Sequence, residues 1–189
     1  MRPATLMIVG TLLLAGCGEP TSPEPGGLLP ASSIAGPQDP FWKGAFAPVS
    51  APDTGPGDLT FVFAEGRAGF GQPGALQFGR GLVQQTVPHS QPAPSAAYSA
   101  DGVETWANLL ALPEGGQVEL RQVVSEASPP GGAPGLCAAG PTTWVAVGLR
   151  PGIDHPGSLS IAAFSGAEAP GPAADNSEVC AVYEYAIPG

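Results

Sequence analysis

Read for hydrophobic periodicity, the chain divides into an apolar opening, a stretch without period, and a body of short alternating runs separated by turn residues. Residues 6–14 are apolar except for Gly10 and Thr11, and Gly18-Glu19-Pro20 ends the run. Across 18–40 neither a period of 2 nor one of 3.6 is sustained, and Pro, Gly and Ser dominate. In the body, Leu59-Thr60-Phe61-Val62-Phe63 is β-branched and aromatic and predicts a strand. Residues 75–78 and 82–87 predict weaker strands, and 88–94 a loop. Residues 117–125 alternate as a half-buried strand does, with Val118, Leu120 and Val124 on one face and Glu119 and Arg121 on the other. The runs 142–149, 159–164 and 179–187 predict three strands of an antiparallel meander. In the last of them Val179, Ala181, Tyr183, Tyr185 and Ile187 point one way.

One helix is expected. Asp101-Gly102-Val103-Glu104 resembles a capping box, and Val103, Trp106, Ala107 and Leu110 then fall on one stripe before Leu112-Pro113 and Gly115-Gly116 stop it. Trp106 is expected to anchor a core. Together these elements predict a mainly β fold: a small antiparallel β-sandwich or barrel-like body with one short helix. This single β-rich domain would cover 41–189, after a signal peptide over 1–16 and a disordered tether over 17–40. Phe41 and Trp42 are expected to mark where packing begins.

Composition narrows the possible partners. A chain of 189 residues, 43% apolar, suffices for one compact domain once a leader and tether are set aside. Six Lys+Arg against sixteen Asp+Glu give a formal net charge of −10, and Lys43 is the lone lysine, so a nucleic-acid backbone would be repelled. The acidic balance suits a cationic partner, or solubility alone. Glycine and proline, 28 and 24 of them, point to a turn-rich body rather than to disorder wherever alternation survives.

The three cysteines divide into Cys17 near the leader and a pair, Cys137 and Cys180, in the body. The segment Leu14-Ala15-Gly16-Cys17 resembles the bacterial lipobox in all four positions, behind an n-region charged at Arg2 and an apolar run well short of the roughly 20 residues of a membrane span. The resemblance implies that the Cys17 thiol takes a diacylglyceryl group, that the leader is cut just before it, and that the new amino terminus is acylated. It places the protein in the bacterial cell envelope, held on the membrane by its N-terminal lipid. Gly18 rather than Asp after the cysteine implies the outer membrane, facing the periplasm. An exported chain meets an oxidising compartment, which favours a Cys137–Cys180 disulfide.

Candidate chemistry is sparse. Gly69-x-Gly71-x-x-Gly74 matches the dinucleotide fingerprint by letter. That fingerprint works through a following helix that holds the pyrophosphate, and Pro73 and the strand-like 75–78 leave no room for one, so these glycines are expected in turns. His89 and His155 are the only histidines, and no G-x-S-x-G elbow is present. Asp154-His155 lies between Gly152 and Pro156 and predicts a hairpin loop. Asp175-Asn176-Ser177-Glu178 lacks the rhythm of a calcium loop, and the histidines are too far apart for a zinc set. No catalytic residues, cofactor or metal are therefore expected. A hydrolase would need His89 or His155 brought beside a Ser or carboxylate from elsewhere in the chain.

Ser165-Gly166-Ala167, between two predicted strands, resembles the loop that small lipoprotein inhibitors of C-type lysozyme present. Here the loop continues through Glu168 and Ala169 to Pro170, where that family has a basic residue and then Tyr, and Lys43 lies too far upstream to stand for its lysine motif. The expectation is a membrane-anchored envelope lipoprotein with a non-catalytic binding or structural domain that meets a protein or glycan partner. The alternatives are a lysozyme inhibitor and a small hydrolase.

Overall fold

Alternating strands that each bury one face must find a second layer or close upon themselves. Here they close. The computed structural model describes residues 42–49, 55–64, 68–131, 135–150, 157–174 and 177–187, and its strands form a closed antiparallel barrel in sequence order. They are β1 (Ala45–Pro48), β2 (Leu59–Phe63), β3 (Gly74–Phe78), β4 (Val83–Ser90), β5 (Gln117–Ala127), β6 (Trp144–Arg150), β7 (Ser158–Ser165) and β8 (Glu178–Ala186). The seam is made by β1 and β8, with Ala47 opposite Ala186 and Pro48 opposite Tyr185. Closure leaves no edge strand exposed to another chain. The sequence carries no signal for β1, Ala-Phe-Ala-Pro, because only Phe46 is a strand-forming type and its partners are distant in sequence.

Strand register separates the two faces. Phe46, Leu59 and Phe78 meet across β1–β3, and Val147, Ile161 and Tyr183 across β6–β8. All of them belong to the apolar cluster inside the barrel. Trp42 is 1% exposed and sets its ring against Phe61, Phe63 and Phe70 at centroid distances of 4.9, 5.6 and 5.4 Å, so it is packed into the body as expected.

A second cluster lies outside the barrel. The connection 91–116 crosses the outer face of β5, β6 and β7, and its Tyr98, Trp106, Leu110 and Leu112 cover Val118, Leu120, Trp144, Ala146, Ala162 and Phe164. Gly148 permits close approach, since a Cβ there would lie 3.0 Å from Leu110 Cβ and Cδ1. This connection carries the helix α1 (Trp106–Leu109). It is one turn long and starts later than expected. Thr105, not Asp101, is the N-cap and accepts from the Asn108 N–H at 3.3 Å. Asp101 instead accepts from Ser99 Oγ at 2.5 Å and the Val103 N–H at 3.1 Å, an Asx-type turn that competes with helix. Val103 is therefore 73% exposed rather than part of an apolar stripe, while Trp106 is a core anchor as expected.

Two bulges account for two further departures. Strand β4 runs on through Pro88 and Ser90, where a loop was expected, because a register shift between those residues lies where the missing proline N–H can be accommodated. In β8, a shift at Ala163/Phe164 makes Cys180 the extra residue, so Val179 turns outward opposite Phe164 while Ala181, Tyr183 and Tyr185 stay inward. The bulged Cys180 forms the expected disulfide with Cys137, across a Cα–Cα distance of 5.0 Å.

Candidate functional site

The meander places its loops alternately at the two ends of the barrel. One end gathers 68–73, the start of 91–116 and Trp42, and it holds the buried charges Glu119 and Arg121. Strand β5 alternates as the sequence predicts, but its charged face points inward. Glu119 is 0% and Arg121 2% exposed. The sequence pattern did not separate inside from outside here, because the outward side of β5 is itself roofed by the 91–116 segment and so is also apolar.

Arg121 is held on three sides. Its Nη1 donates to Glu119 Oε1 in a buried salt bridge, and its Nε donates to Thr86 Oγ1 of β4 at 2.8 Å. The third donor, Nη2, reaches the main-chain oxygen of Gln72 at 2.7 Å. The other carboxylate oxygen, Glu119 Oε2, accepts from the Gly71 N–H and from Gln91 Nε2 at 3.4 Å. Thr86 Oγ1 in turn donates to the Gly74 carbonyl at 3.0 Å. The segment 70–73 thus closes over the pair with main-chain groups, while Phe70 packs on Trp42. Burial pushes the Glu119 carboxyl above the usual glutamate range, more than Arg121 and the donated hydrogen bonds pull it down. Burial likewise lowers the Arg121 guanidinium from its ordinary value, against the pull of Glu119.

Two glycines of the fingerprint-like motif, Gly69 and Gly71, belong to this loop, the third stands where it enters β3, and each has a local reason. Gly69 and Gly71 have φ of +141° and +80°, conformations that L side chains rarely adopt. Gly74 starts β3, where a Cβ would lie 2.5 Å from the Val62 carbonyl oxygen. A strand follows the motif instead of a helix; Gly69 and Gly71 lie in the expected turn, whereas Gly74 is already a paired residue of β3.

Elsewhere on the barrel, Gln84 Nε2 donates to Glu126 Oε2 at 2.5 Å, also between β4 and β5. Outside, an open groove of ≈ 350 Å³ crosses β2–β5, with Val62 and Val124 on its walls and Gly74 and Ala75 between them. His89 is exposed on β4 and sets its ring edge-on to Trp144 at 5.0 Å. No hydroxyl or carboxylate among the described residues hydrogen-bonds to it. Ser165-Gly166-Ala167 leads from the end of β7 into the β7–β8 connection, between two strands as expected, with Ser165 and Gly166 half-buried, Ala167 exposed and Gly166 at φ +114°.

Cys17 with its leader and tether, Phe41, Asp154-His155 and Asp175-Asn176 lie outside the described residues. Among the described residues no group of three or more His, Cys, Asp or Glu is placed to hold a metal ion, and no helix is long and apolar enough to cross a membrane. The Glu119–Arg121 cluster was legible in the sequence only as an i, i+2 pair of opposite charges on one face of an alternating strand. No family model matches the chain, and no curated protein and no solved structure matches it either.

Proposed function

We propose that this chain is a bacterial envelope lipoprotein, anchored through a lipidated Cys17, whose barrel is a non-catalytic binding or structural module. What carries the proposal is the Leu14-Ala15-Gly16-Cys17 motif placed ahead of a barrel whose interior is filled by its own side chains. An eight-stranded barrel is just wide enough to be filled in this way or to hold one small ligand. Here the interior charges are engaged by strand and loop atoms of the same chain rather than gathered around an open cleft. Two or more acyl chains on Cys17 would hold the protein on the bilayer essentially permanently. The residue after the cysteine, Gly18, favours the outer membrane, with the barrel facing the periplasm and a protein or glycan partner.

Fractionation of the producing bacterium tests the proposal. The wild-type chain sediments with outer membranes and the Cys17→Ala chain does not; equal recovery of both in the soluble fraction defeats it.

A second function, inhibition of a C-type lysozyme, draws on one observation: Ser165-Gly166-Ala167 stands at the bend between two strands, with Ala167 exposed. An acidic surface suits a cationic enzyme. Lysozyme that keeps its full muramidase activity in the presence of the purified soluble body excludes this function and leaves the anchored module standing.

A further inference from the structure

We propose that the end of the barrel around Arg121 is a binding site for a short uncharged peptide, and that the chain's own Phe70-Gly71-Gln72-Pro73 segment sits in it as a built-in occupant. This rests on the binding half of the function proposed above.

The two halves of the contact come from different kinds of structure. The receiving half is built on strands: Arg121 is fixed by Thr86 on β4 and Glu119 on β5 before the loop contributes anything. Groups held by packed strands stay in position when a loop leaves, so this half is preorganised. The occupying half consists of the Gly71 N–H on Glu119 Oε2, the Gln72 carbonyl on Arg121 Nη2 and the Phe70 ring against Trp42.

The chemistry of the occupant defines what could replace it. A ligand must offer a donor to Glu119 and, one residue on, an acceptor to Arg121, with an apolar group beside Trp42. A peptide backbone supplies that donor and acceptor on consecutive residues. A free phosphate or carboxylate would satisfy Arg121 but meet the Glu119 carboxylate, and a cation would meet the reverse conflict. A hydrocarbon would leave Arg121 Nη2 without an acceptor and Glu119 Oε2 with Gln91 alone, which is costly in a buried place. Nor does stability require such a pair, since apolar side chains of similar volume often serve as well.

The glycines allow the segment to be loosened without touching Arg121, Glu119 or Thr86. Gly69 has a φ of +141°, and a Cβ there would make only an ordinary van der Waals contact, with Trp42 Nε1 at 3.9 Å, so Gly69→Ala adds backbone strain without a collision. Gly71→Pro removes the N–H that donates to Glu119 and demands a φ near −65°, far from the +80° observed.

The test is calorimetric titration of the mature full chain, in detergent, with acetyl-Phe-Gly-Gln-Pro-amide. The wild type binds the probe weakly because its own segment competes, and Gly69→Ala and Gly71→Pro each bind it about tenfold tighter or more, as the open fraction rises. Adding Arg121→Met and Glu119→Leu together to the Gly69→Ala chain keeps an apolar core and abolishes binding. Gly69→Ala binding no tighter than wild type, or binding that survives loss of the pair, overturns the proposal; it does so even where Gly71→Pro does not fold. Membrane fractionation reads the anchor independently, so the two proposals fail separately.

Discussion

Arg121 and Glu119, two residues apart on β5, form a salt bridge inside the barrel with both side chains buried. Neither charge reaches solvent, so each is tolerable only while the other is present. Arg121→Met alone therefore strands a buried carboxylate and costs about 3–5 kcal/mol in urea unfolding. Arg121→Met combined with Glu119→Leu costs less than the single change. A double variant that loses as much as the two singles added together shows that the pair is not coupled.

Main-chain contact sets the second expectation. At Gly74 a Cβ would meet the Val62 oxygen at 2.5 Å and Phe63 Cα at 3.0 Å, both backbone atoms that cannot step aside. At Gly148 it would meet only the Leu110 side chain, at 3.0 Å. Gly74→Ala is expected to cost about 1–3 kcal/mol, the range for overpacked sites, and Gly148→Ala less. The reverse order in thermal or denaturant unfolding contradicts the β2–β3 register.

The disulfide joins the β5–β6 connection to the β8 bulge across a sequence separation of 43. Constraining an unfolded chain over that separation is worth about 4 kcal/mol in the loop-entropy model. Reduction, or Cys137→Ser with Cys180→Ser, lowers the denaturant midpoint accordingly. Two titratable thiols in the unreduced mature chain contradict the pairing.

All three tyrosines resist ionisation. Burial and the hydrogen bond to Glu104 push Tyr98 up to about 12, and burial raises Tyr183 and Tyr185 as well, the latter with its hydroxyl unpartnered among the described residues. In the unfolded chain each loses its proton near an ordinary value of about 10. Between that value and the folded-state values the unfolded chain carries fewer protons, so stability falls as pH rises from about 10 upward. Ultraviolet titration of phenolate in the folded protein is expected to lag behind that of the urea-unfolded chain. Coincident curves would contradict the burial.

Most of the barrel was legible from periodicity. Strands β2 and β5–β8 stand within a few residues of their expected limits because their alternation is strong and their turns are marked by Gly and Pro. The failures have local causes. An Asx-type turn at Asp101 displaced the helix start to Thr105, and bulges at Pro88–Ser90 and Cys180 carried one strand past a proline and turned Val179 outward. Of the candidate site the sequence showed only that Glu119 and Arg121 share a face. Which face is interior depends on where 91–116 packs, and no local pattern encodes that.

The central claim, a barrel held on the envelope by its first residue, is tested most directly by mass spectrometry of the N-terminal peptide from the mature protein. The account predicts a peptide that begins at Cys17, with a diacylglyceryl thioether on its sulfur and an acylated amine. A peptide that runs through residue 17 uncut, or one that begins at an unmodified Cys17, contradicts it.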